Sequence, residues 1–199
     1  MPFAALTIDD FGARLGSAEP TPGGGAAAAL LAKLGASLVQ MVGRHTVGRP
    51  KYAAIEGKVQ AAIDEAERLD ARAGELMDAD GDAYAGVSAA FKLPKEEAGR
   101  ARALSAACVQ ASKVPLEVMR LSARVGELAL ELFREGNQSL SGDARAALLM
   151  AQTAAEISLG NVRANQPFIE DAHWAQEAAA EAGQMRAHIA ALREQIERS

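Results

Sequence analysis

KYAAIEGKVQAAIDEAERLDARAGELMDADGDAYAGVSAAF, residues 51–91, has the clearest periodicity in the chain. Wound at about 100° per residue, it places Ile55, Val59, Ile63, Ala66, Leu69, Ala73, Leu76, Met77, Tyr84, Val87 and Phe91 on one stripe. The spacing predicts one very long helix, with Gly74, Gly81 and Gly86 as places where it can bend. Asp80 is the exception on that stripe, near its middle, while Asp78 and Asp82 are expected on the solvated face.

A carboxylate on a core face must be paired, hydrogen-bonded or protonated, because burying a lone one costs several kcal/mol. Desolvated carboxylates often serve as acid or base at sites. The bland reading is a structural aspartate that caps a neighbouring helix or pairs with an arginine. Helical geometry alone leaves both open.

Outward from this segment the chain reads as helix throughout. Thr7 with Asp10 predicts a capped short helix to about Leu15. SAEPTPGGG, residues 17–25, is a loop, and a helix apolar on every side follows from about Gly25 to His45. The apolar run at 26–43 is long enough to imitate a membrane span. Lys33, Gln40 and its many alanines instead favour a buried central helix. Beyond KLPK, a helix is expected over 96–134 with a kink or break at Pro115. The next is expected from an N-cap at Ser141 to about Asn165, and a final one after Pro167 to the C-terminus. No segment alternates, so no sheet is expected. The fold class is an all-α, single-domain bundle over 1–199.

Composition narrows the function. The chain is 49% apolar and 24% charged, as a globular protein should be. Its net charge of −5 argues against general nucleic-acid binding. One cysteine, Cys108, fits a reducing compartment, and the acidic N-terminus does not read as a secretory signal. A cytoplasmic location is expected. His45, His173 and His188 are scattered and no metal or nucleophile motif is visible. No metal and no cofactor is therefore expected beyond a substrate.

Three further clusters are candidates. Pro22, Gly23, Gly24 and Gly25 lead into a helix N-terminus, where glycines let a ligand approach free N–H groups. A flexible turn before a tightly packed helix is the simpler reading. Arg44, His45, Arg49 and Lys51 can hold a polyanionic tail, or merely complement a helix C-terminus. Asn161 and Asn165, one turn apart, can read a polar heterocycle or bond between helices. Asp143 shares their face but lies roughly 27 Å from Asn161 along one helix. A site shared by both needs a dimer-related copy.

TPGGG at 21–25, M-V-G-x-x-T-x-G-R at 41–49, DADGDAY at 78–84, KLPK at 92–95, VPLEV at 114–118, GNQSLSGD at 136–143 and GNVRAN at 160–165 appear in this order across nearly the whole chain. Together they resemble the formiminotransferase-cyclodeaminase family. The likeness is to its C-terminal cyclodeaminase domain and to the related bacterial methenyltetrahydrofolate cyclohydrolases. It does not extend to the formiminotransferase domain.

The resemblance implies a homodimeric all-α bundle acting on a tetrahydrofolate derivative, with or without a polyglutamate tail. It also implies catalysis by an aspartate of the DAD motif, matched by Asp78 and Asp80. The inward phase selects Asp80. Lys95 is a candidate for stabilising charge, or else a surface residue at a helix start. The activity implied is formiminotetrahydrofolate cyclodeaminase, which forms 5,10-methenyltetrahydrofolate and releases ammonia. The alternative is the cyclohydrolase that gives 10-formyltetrahydrofolate. A non-enzymatic helical scaffold is the rival from another class, and it leaves an inward Asp80 unexplained.

Overall fold

The structure is a computed structural model that describes residues 1–198. Six helices follow in order: α1 (Ile8–Leu15), α2 (Gly24–Arg44), α3 (Glu56–Lys92), α4 (Arg100–Glu135), α5 (Ser141–Asn165) and α6 (Ala172–Glu197). No strand occurs among the described residues, so the fold is all-α as expected. Ser199, which the expected last helix included, lies outside them.

α2, α3, α4 and α5 pack around one core, and α6 lies against α4 and α5. Small residues let α2 sit close to its neighbours. A Cβ at Gly35 would lie 3.1 Å from the Ala147 carbonyl of α5, and one at Gly43 would lie 2.5 Å from Ile63 Cγ1 of α3. Gly24 neighbours Ile157 while Gly35 neighbours Ala147 and Met150, so α2 and α5 run antiparallel.

α2 is not enclosed on every side, as its composition led one to expect. By length and hydropathy it could pass for a membrane span. One face, with Ala26, Ala29, Ala32, Ala36 and Val39, is nevertheless buried in the bundle. The other keeps Leu34 43% exposed, with Leu30, Leu31, Leu38 and Met41 half-buried beside Leu149 and Met150 of α5.

α3 is the long helix read from the sequence, 37 residues without a break. Gly74 and Gly81 do not interrupt it but lie beneath the N-terminal segment, near Ala4 and Phe3. The Phe3 amide donates to Asp78 Oδ1 at 2.9 Å. Asp78 therefore anchors that segment rather than standing free in solvent, whereas Asp82 is exposed as expected. The apolar stripe is buried from Val59 to Met77, with Leu69 half-buried, and then emerges, leaving Tyr84 and Phe91 exposed. α2 begins at the level of Asp80, so it does not cover the later turns of α3.

Two boundaries differ from expectation. α4 begins at Arg100, after Gly99 at a φ of 93°, and runs as one helix through Pro115. Packing on both flanks outweighs the lost hydrogen bond there, since Pro115 and Leu116 are buried. Ser141 is the first residue of α5 and not its cap; Asn137 caps the preceding 3-10 turn.

Candidate active site

Asp80 sits at the N-terminus of α2. Gly23, at the N-cap position, has no side chain to satisfy the first amides, and Asp80 Oδ2 accepts from the Ala26 amide at 3.1 Å. No room is left for a side chain at Gly25: a Cβ there would lie 2.7 Å from Asp80 Oδ2, and nearer still to Oδ1 and Cγ. Burial pushes the Asp80 carboxyl pKa up, and the Ala26 amide partly offsets this by favouring the anion. The capping and acid/base readings are therefore compatible. One oxygen caps the helix, and burial at the same time raises the carboxyl's affinity for a proton.

Asp80 opens on a cavity of about 330 Å³, large enough for a compact heterocyclic ligand. Gly23, Gly24 and Gly25 form one side with Pro20 and Thr21; Asn161, Ala164 and Asn165 of α5 form another. Ala83, Tyr84 and Val87 continue the α3 wall, and Ala111 comes from α4. The glycine loop, Asp80 and the asparagine pair thus share one site. Pro22 is buried and does not line it. Pro115 has no amide to offer the Ala111 carbonyl one turn earlier, which leaves an acceptor without its helical partner beside the cavity.

Pro20, Thr21, Tyr84, Val87 and Ala111 were not singled out from the sequence. Tyr84 had a signal there: it lies one turn past Asp80 on the same stripe.

The other candidates lie elsewhere. Lys95 is exposed on the loop after α3, and α3 alone places its last residue roughly 18 Å beyond Asp80. Arg49 and Lys51 are exposed beyond the C-terminal end of α2, about 30 Å from its N-terminus. Arg44 pairs with Glu67 at 2.7 Å and Gln40 at 3.2 Å, a structural role. Asp143, in the first turn of α5, belongs to the same far end, where Asn137 bonds Thr46 and His45. Within the chain Asp80, the glycine loop and the asparagine pair therefore lie at one end of α2, and Arg49, Lys51 and Asp143 at the other. Among the described residues no three His, Cys, Asp or Glu side chains are grouped to hold a metal ion.

A desolvated carboxylate, a glycine-opened helix N-terminus and an amide pair around one cavity define a helical-bundle enzyme for a small polar ligand. The chain belongs to the formiminotransferase-cyclodeaminase family, whose profile matches residues 7–184. It is 34% identical over 194 residues to a methenyltetrahydrofolate cyclohydrolase from Methylorubrum extorquens, covering 96% of this chain and 93% of that one. It is 32% identical over 169 residues to mouse formimidoyltransferase-cyclodeaminase, covering 83% of this chain and 31% of the mouse protein. The fold is shared with a crystal structure of formiminotetrahydrofolate cyclodeaminase from Thermotoga maritima. The TM-score is 0.91 at 22% identity, over 98% of this chain and 95% of that one. The family is one of folate one-carbon enzymes, and the scaffold reading falls.

Proposed function

We propose that the enzyme acts on the one-carbon bridge between N5 and N10 of tetrahydrofolate, hydrolysing 5,10-methenyltetrahydrofolate to 10-formyltetrahydrofolate. The carrying observation is Asp80, whose carboxyl opens on the cavity with its pKa raised by burial. In this reading Asp80 takes a proton from the water that adds to the methenyl carbon. A C–O bond forms, the captured proton passes to N5 as the C–N5 bond breaks, and the carbinol O–H proton leaves to solvent as the formyl C=O forms. The likeness to the cyclohydrolase over nearly the full length of both chains favours this reaction.

The fold shared with the Thermotoga cyclodeaminase supports a second reading at the same carboxylate. There N10 attacks the formimino carbon on N5. Asp80 collects the N10 proton and passes it to the departing ammonia. Neither reading calls for a metal or a cofactor besides the folate, and a cytoplasmic location is proposed with them. Assaying the purified protein on both substrates side by side decides between them. Turnover of neither, with an unchanged melting temperature on adding either, would sink the folate assignment.

The homodimer belongs to this reading. The partly exposed apolar face of α2 and α5, with Leu34 and Leu149 exposed, is the surface a second copy would cover in this reading. A two-fold axis crossing α2 sets the N-terminal end of one copy against the C-terminal end of the other. Arg49, Lys51 and Asp143 of one subunit then approach the Asp80 cavity of its partner, with the basic pair receiving the glutamate tail.

A further inference from the structure

We propose that Tyr84 is the stacking surface for the flat pyrimidinone half of the substrate's pterin head, an inference that rests on the folate reading above. Leu76 and Met77 of the same stripe are fully buried, whereas Tyr84 remains 48% exposed on the cavity wall. A large ring with an open face there offers a ligand the contact that the core does not use.

The placement fits the chemistry of the substrate. The reacting carbon must lie at Asp80, and N5, to which it is bonded, is itself a member of the bicyclic head. The head must therefore lie within about one ring of Asp80. Tyr84 is one turn further along α3, about 6 Å in rise.

The opposite wall supplies the polar edge. α3 and α5 advance together from the start of α2, where Asp80 meets Gly25 and Ile157 neighbours Gly24. Phe91, near the end of α3, meets Phe168 in the 3-10 turn after α5, with ring centroids 5.1 Å apart at 87°. Asn161, one turn past Ile157, is thus level with Tyr84, and Asn165 follows it. A heterocycle with amino and carbonyl groups on one edge can stack on Tyr84 while those groups meet the two amides. The aminobenzoyl ring has no such edge.

The test compares Tyr84→Leu with Tyr84→Phe, which keeps the ring. The readouts are kcat and KM for the folate substrate, and inhibition by free tetrahydropterin and by 4-aminobenzoylglutamate. Stacking predicts that Tyr84→Leu raises KM and the tetrahydropterin Ki about fivefold to tenfold over Tyr84→Phe. The kcat values and the 4-aminobenzoylglutamate Ki of the two variants should match. Equal KM and Ki values for the two variants overturn the proposal, as does a shift confined to 4-aminobenzoylglutamate. A Tyr84→Leu variant that lowers kcat alone overturns it too. Should Tyr84→Leu not fold, Tyr84→Met makes the same comparison. Failure of the folate reading shows separately, as wild-type protein that neither turns over nor binds any of these compounds.

Discussion

Gly25 and Asp80 meet so closely that the absent Cβ of the glycine defines where the carboxylate can stand. Gly25→Ala must push the Asp80 side chain, since position 25 is fixed in the first turn of α2. Displacing a reacting group by about 1 Å can cost on the order of a hundredfold in rate. We expect kcat to fall by about that factor. Melting temperature should move only a few degrees, because Ala is a better helix former than Gly and partly offsets the crowding. Wild-type kcat in a folded Gly25→Ala variant would remove the requirement for this contact.

Much of this arrangement was legible in the sequence, because it rests on helical period. The stripe on α3, the odd phase of Asp80 and the Thr7 cap all follow from local spacing. Contacts between helices do not. The Phe3 amide that occupies Asp78 is 75 residues away in sequence. Nothing in residues 84–91 tells that α2 starts too late to cover them, so Tyr84 and Phe91 read as core. Lys95 came from motif resemblance, which carries no position in space, whereas the helical phase of Asp143 already set it far from Asn161.

The fit of α2 against α3 gives a prediction about folding that is separate from catalysis. A methyl at Gly43 would lie 2.5 Å from Ile63 Cγ1 and 3.1 Å from Ile63 Cδ1, both in the core. Overpacking of this kind costs about 1–3 kcal/mol. Gly43→Ala should therefore lower stability by that amount in urea unfolding, and adding Ile63→Val should recover part of it. Two changes that simply add would show that the residues do not share the space.

The proposed pairing of subunits can be tested on Leu34, the most exposed leucine of α2. Leu34→Glu sets like charges near the two-fold axis, so light scattering should show monomers while wild type shows dimers. Activity should fall with the dimer fraction if the partner completes the site. Arg49→Ala with Lys51→Ala should leave the dimer intact. It should weaken a polyglutamylated substrate more than a monoglutamate, with the larger difference at low salt. Equal losses on both substrates would return that cluster to a structural role.

Asp80→Asn joins mechanism to stability through the sign of one pKa shift. Burial raises the folded-state pKa of Asp80 above its unfolded value, so the folded protein holds this proton more tightly. That contribution to stability is fully present below the unfolded pKa and is lost as pH rises through the folded pKa. Asparagine stays neutral and still presents an oxygen to the Ala26 amide, so the variant escapes this loss. We expect Asp80→Asn to be more stable than wild type at pH 7, with the gap closing as pH falls toward the ordinary carboxylate range. Turnover should drop by about a hundredfold or more, because the amide cannot carry the proton. Asp82→Asn should leave both quantities near wild type, and Asp78→Asn should act only through its bond to the Phe3 amide. The pH series of urea midpoints separates two outcomes. A variant that loses stability at every pH marks Asp80 as a cap alone. A variant that gains stability at neutral pH while losing turnover shows that the fold tolerates a buried charge there for the sake of the chemistry.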